Sequence, residues 1–166
     1  SGQDVLNRYA QGTFSPTLKF GSTSIQNYSI RRGYFTRIGN IVQVSIQLRI
    51  TNPSVTDKAA NGLITITGLP FIAQGRQVLS VHPQRGWLNM ADSTKSAFIA
   101  NGSTSVQLLK TRNIPDAAGQ GTNQGFLFTQ DFLAADGVTN IRPLNFTAGT
   151  STTDNQDKAF YFDIEG

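Results

Sequence analysis

Residues 41–51 read Ile-Val-Gln-Val-Ser-Ile-Gln-Leu-Arg-Ile-Thr, an unbroken alternation of apolar and polar side chains. A period of two puts Val42, Val44, Ile46, Leu48 and Ile50 on one face of a strand and Gln43, Ser45, Gln47 and Arg49 on the other. The run is entered through Gly33-Tyr34-Phe35-Thr36-Arg37-Ile38-Gly39-Asn40. It is followed by Ile64-Thr65-Ile66-Thr67-Gly68-Leu69-Pro70-Phe71. The strand is half-buried, so the segments around it must supply the rest of a core.

Composition agrees with a β protein. Among 166 residues there are eleven Phe and sixteen Gly, and only 14% are charged. Glu165 is the sole glutamate, which weighs against surface helices. Short strand candidates recur with turn signals between them, at 13–20, 27–32, 34–37, 63–67, 78–81, 87–90, 97–100, 105–110, 141–146 and 158–164. That spacing predicts a sandwich or barrel, with a hairpin at Asn101-Gly102. Residues 3–11 suit two helical turns, and 129–136 a short capped helix. The expected fold is therefore all-β, an antiparallel β-sandwich of jelly-roll type. Residues 1–11 read as a lead-in from an upstream shaft or linker, and 12–166 as a single domain.

Several function classes lack residues to support them. There is no cysteine, hence no disulfide scaffold and no thiolate chemistry. No stretch is long and apolar enough to span a bilayer, and no secretory signal is expected, because no apolar segment lies near Ser1. The net charge is +4, but the basic residues are dispersed and only Arg31-Arg32 are adjacent, so nucleic-acid binding is not expected. The ten acids lie mostly in turn-like segments, where Asp bonds its own backbone. Asp154-Asn155-Gln156-Asp157 lacks the ligand spacing of a calcium loop. His82, the single histidine, has no nucleophile elbow to serve, and His82-Pro83 reads as the start of a turn. No enzyme activity, metal or cofactor is expected.

The order Gly12-Thr13-Phe14-Ser15-Pro16-Thr17-Leu18, then Gly33-Tyr34-Phe35-Thr36-Arg37-Ile38-Gly39-Asn40-Ile41-Val42, then Ile66-Thr67-Gly68-Leu69-Pro70-Phe71, resembles the C-terminal β domain of many bacteriophage tail fibres and tailspikes. The family pattern reads approximately GTWTPTL, GxYTKIGNxV and ITGLPF; Phe14 stands here for its Trp. The resemblance covers the first half of the chain. It implies a homotrimeric β-sandwich at the distal end of a fibre, a virion component that recognises host-surface glycan, whether polysaccharide or lipopolysaccharide. The alternative is a domain that trimerises the fibre and helps it fold, with no ligand of its own.

The matched residues have a physical reading as fold determinants. Gly33 and Gly39 supply backbone angles that other residues resist. Tyr34 and Ile38 are expected to anchor a hairpin to the core. Gly68, Leu69 and Pro70 end a strand, and Phe71 plugs the sheet edge. Candidate ligand residues lie elsewhere. Trp87 is either a core residue or an exposed platform for a sugar ring, with Arg85 and Asn89 as polar partners. Tyr28, near Arg31 and Arg32, forms a second such cluster. For trimer contacts, Phe126-Leu127-Phe128 and Phe160-Tyr161-Phe162 place bulky residues on both faces of a strand, one for the core and one for a neighbour.

Overall fold

The computed structural model describes residues 8–85, 95–110 and 160–166, together with Phe126, Leu127, Thr129, Phe132, Pro143 and Leu144. Its strands are β1 (Tyr9–Phe14), β2 (Thr17–Phe20), β3 (Thr23–Ser24), β4 (Ile30–Ile38), β5 (Ile41–Ile50), β6 (Ile64–Thr67), β7 (Gln77–Arg85), β8 (Lys95–Ile99), β9 (Val106–Lys110) and β10 (Phe160–Glu165). One short helix, α1 (Val55–Ala59), lies between β5 and β6. All strand pairs are antiparallel and form one sheet in the order β1-β4-β5-β10-β7-β8-β9-β6-β2-β3.

This sheet must curl. β1 is at one edge and β2 is ninth of ten, yet only Ser15 and Pro16 connect them. In a flat sheet the two strands would be about 38 Å apart, eight spacings of about 4.8 Å. Three Cα–Cα steps reach at most about 11 Å. The edges therefore fold back towards each other, and the concave faces of β2, β5, β6, β8, β9 and β10 share one core.

The alternation in β5 is realised as expected. Val44, Ile46, Leu48 and Ile50 are buried, and Val42 packs half-buried beside them. β10 does the same with Phe160, Phe162 and Ile164, all fully buried between β5 and β7. Each such side chain contributes about 1.5–3 kcal/mol relative to exposure. Phe160 stacks edge-on against Phe162 and Phe132, so these rings fill the core. Asn101 and Gly102 turn β8 into β9 as the sequence predicts.

Five expectations change. The separate strands at 27–32 and 34–37 are one, β4. The single strand at 13–20 is two strands, because the chain crosses between sheet edges at Ser15-Pro16. The helical reading of 3–11 gives way over 9–11, where Tyr9, Ala10 and Gln11 pair with Ile38, Arg37 and Thr36; residues 1–7 lie outside the described residues. The loop after Asn52 contains α1. His82 and Pro83 do not turn but continue β7, with Pro83 opposite Phe162. Among the described residues the β7–β8 ladder covers Gln77–Ser80, and Pro83, which has no N–H to donate, lies beyond it. Of the helix predicted at 129–136 only Thr129 and Phe132 are described, and of the strand at 141–146 only Pro143 and Leu144, which lie in a turn rather than a strand; the strand at 87–90 lies outside the described residues.

Candidate functional site

Tyr28 is positioned from below by Asp57. This carboxylate is fully buried at the third residue of α1 and accepts the amides of Gln26, at 2.8 Å, and of Asn27 and Ser54, each at 3.1 Å. The Ser54 hydroxyl accepts the Asp57 amide in return, which closes a capping box. The segment so held delivers the Tyr28 hydroxyl to the Leu18 amide, which donates to it at 2.9 Å. Burial pushes the Tyr28 phenol up from its ordinary pKa; the Leu18 amide and the Arg31 charge pull the other way.

Arg31 lies over the Tyr28 ring, 5.0 Å from its centre. It donates through Nε to the Pro16 carbonyl at 2.6 Å and through Nη2 to Thr17 Oγ1 at 2.5 Å. The pair is thus a clasp that fastens β4 to the β1–β2 corner, and the ring face expected to meet a sugar is already covered by Arg31. Arg32 belongs to the opposite face of β4, where Gln47 lies across from it. Arg85 pairs through its backbone with Tyr161; its side chain, Trp87 and Asn89 lie outside the described residues.

The convex face of the central strands is polar. Arg32, Gln47, Asp163 and His82 form one cross-strand row, and Tyr34, Ser45, Glu165 and Ser80 the next. Arg49 and Tyr161 follow at one end. Arg49 is paired with Asp163 at 2.9 Å, donates to the Phe162 carbonyl at 3.2 Å and sits 5.0 Å from the Tyr161 ring. Tyr161 therefore faces Arg49, while Phe160 and Phe162 point into the core.

Tyr34 and Ile38 do not anchor the hairpin; they are 47% and 50% exposed on this convex side. Register decides it: Gly33 and Phe35 face Ile46 and Val44, so the inward residues of β4 are the odd-numbered ones. The anchors are Phe14 and Phe35. Phe35 stands over Gly12 and Phe14 over Gly33, each ring within 3 Å of where a Cβ would be. Phe71 meets Phe35 edge-on at 5.0 Å, with Arg37 5.5 Å from its ring centre. Leu69 is buried, Pro70 is exposed, and Gly68 follows the end of β6. Of the two glycines expected to supply unusual backbone angles, Gly39 does so, turning β4 into β5 with φ +61°; Gly33 has no positive φ and is needed instead for the space that the Phe14 ring takes.

A cleft of about 300 Å³ opens where β10 ends, between the first residues of β5 and β7. Ile41, Val42, Leu69, Phe71, Ile72 and Val78 line it with Asn40, Gln74 and Gln77; among the described residues no ionisable side chain does. Among the described residues, no three of His, Cys, Asp and Glu gather to hold a metal.

The chain has the fold of part of a phage tailspike. It superposes on the crystal structure of the Dettilon tailspike protein with a TM-score of 0.56 and 13% sequence identity, over 95% of this chain and 23% of that one. The chain thus spans under a quarter of the length of that tailspike. No protein-family model and no curated protein matches the sequence.

In this tailspike-like fold, the three quoted motifs occupy neighbouring structure. Gly12–Leu18 forms the end of β1, the corner and the start of β2, and Gly33–Val42 carries most of β4 into β5. Ile66–Phe71 leaves β6 to bring Phe71 onto Phe35. Sequence reasoning missed Tyr34 as a surface residue. No local signal marked it: the ring that covers Gly33 is Phe14 of β1, and that pairing is made only in the fold.

Proposed function

We propose that this chain is a domain of a phage tail fibre or tailspike, a virion component that assembles as a homotrimer and binds host-surface glycan without cleaving it. The observation that carries the reading is the likeness to a tailspike segment over 95% of the chain. The convex face supports it further. Arg32, Tyr34, Gln47 and His82 provide an exposed aromatic ring beside hydrogen-bonding groups of both kinds, on strands rather than loops. Sugar recognition uses such a combination of ring face and placed polar groups. A rigid surface repeated in three copies lets weak single contacts add as avidity.

The test is a glycan array with the intact chain, followed by titration of any hit against Tyr34→Ala. Saturable binding that falls about tenfold, 1.4 kcal/mol, in the variant is expected. Binding that Tyr34→Ala leaves unchanged would remove the convex face as the site. Cleavage of the bound glycan would overturn the non-catalytic reading.

A further inference from the structure

Five of the eight exposed large apolar side chains among the described residues lie at one end of the sheet. Tyr9, Ile38 and Ile41 lie directly across from one another on β1, β4 and β5. They are 63%, 50% and 76% exposed. Ile72 and Val78, 63% and 72% exposed, form the far rim of the apolar cleft, and Ile41 lines that cleft too. The rim is held rather than loose. The Ala73 amide donates to the Ser103 carbonyl at 3.0 Å, the Gly102 amide donates to the Ala73 carbonyl at 2.9 Å, and the Gly75 amide donates to Asn101 Oδ1 at 2.8 Å. Contiguous apolar surface of this kind marks a contact site on a soluble protein.

The neighbouring edge points the same way. β1 is the terminal strand of the sheet and pairs only with β4 among the described residues. Its sequence, Tyr-Ala-Gln-Gly-Thr-Phe, contains no charge and no proline. Edges that must stay unpaired are normally blunted by charges, prolines or bulges.

We propose that copies of this chain meet here, the Tyr9–Ile38–Ile41 row of one copy packing on the Ile72–Val78 rim of the next. Two features favour a second copy over an unrelated partner. First, the chain carries a net charge of +4. Contact between identical, like-charged copies costs least where charge is absent, and these five residues carry none; an acidic partner would seek basic groups instead. Second, the row and the rim are different surfaces that adjoin at Ile41. A cyclic assembly needs each copy to offer two such surfaces, one to each neighbour. The inference rests on the assembly reading above and adds where the contact lies.

The test is molar mass by light scattering at micromolar concentration for the wild-type chain, Ile41→Glu, Tyr9→Glu and Val55→Glu. Val55, 84% exposed on α1, is the control away from the proposed contact. The wild type and Val55→Glu are expected at the mass of three copies. Ile41→Glu and Tyr9→Glu are expected at the mass of one, with the circular dichroism of the wild type. An assembly that survives both variants overturns the proposed surface and leaves the assembly reading standing. A wild type that is monomeric overturns both, while the glycan array still reports on binding independently.

Discussion

The ring of Phe14 fills the space a side chain on Gly33 would occupy: its carbons lie 2.6 Å from the position of the missing Cβ. The two residues are register partners in the β1–β4 ladder. One turn of the pattern away, Phe35 does the same to Gly12, with ring carbons 2.8 and 2.9 Å from that Cβ position. Each strand thus lends a ring to cover the other's glycine, and the two rings seal the curled end of the sheet. Glycine in a strand interior ordinarily weakens it; here the covering ring restores the lost packing.

Gly33→Ala is accordingly expected to destabilise the fold by about 1–3 kcal/mol through overpacking. Phe14→Leu should absorb part of that cost, since a smaller side chain leaves room for the methyl group. The double variant measured by urea denaturation should be more stable than the sum of the two single effects predicts. Strict additivity would show that the ring and the glycine do not compete for one volume.

Asp57→Ala is expected to cost about 2–4 kcal/mol, because three backbone amides lose their acceptor together and α1 loses its capping box. Asp57→Asn should retain part of the stability through its remaining carbonyl oxygen. Urea midpoints for the three proteins check the order. Equal stability of the wild type and the alanine variant would deny Asp57 its structural role.

Tyr28 gives stability a pH dependence on the alkaline side. Its pKa is raised in the folded state, chiefly by burial, while the unfolded chain titrates near the ordinary value of about 10. The unfolded state therefore releases this proton first. The contribution is complete below about pH 10 and is lost as pH rises through the folded value. Tyr28→Phe removes this component, so the gap in stability between wild type and variant should narrow as pH is raised above 10. A gap that stays constant there would show that the phenol does not titrate differently on folding.

The sequence disclosed the parts of the fold that repeat with period two and no ambiguity. β5 and β10 could be read directly, because only one parity of each holds apolar residues throughout, and Asn101-Gly102 named its own turn. β4 was harder. Gly33, Phe35 and Arg37 alternate with Tyr34, Thr36 and Ile38, and each set contains both apolar and polar members. Only its pairing with Ile46 and Val44 of β5 decides which set is inside, and that is a long-range fact. The same limit hid the nature of the Tyr28 cluster. An aromatic residue close to two arginines suggests a binding platform, but Arg31 is spent on the Pro16 carbonyl and Thr17, a contact set by the curl of the sheet. His82-Pro83 misled for a related reason: proline marks a turn locally, yet here it continues β7, paired opposite Phe162.

The position of β10 has a consequence for how the molecule is made. It lies inside the sheet, flanked by β5 and β7, but Phe160 pairs with Ile50 and so joins segments very distant along the chain. Such closure is slow, since its entropy must be spent before the contacts form. During synthesis the first strands leave the ribosome long before the strand that completes them. Until then β5 and β7 both present open edges, with no hydrogen-bonding partner from β10. That nascent interval is when the domain is most exposed to aggregation.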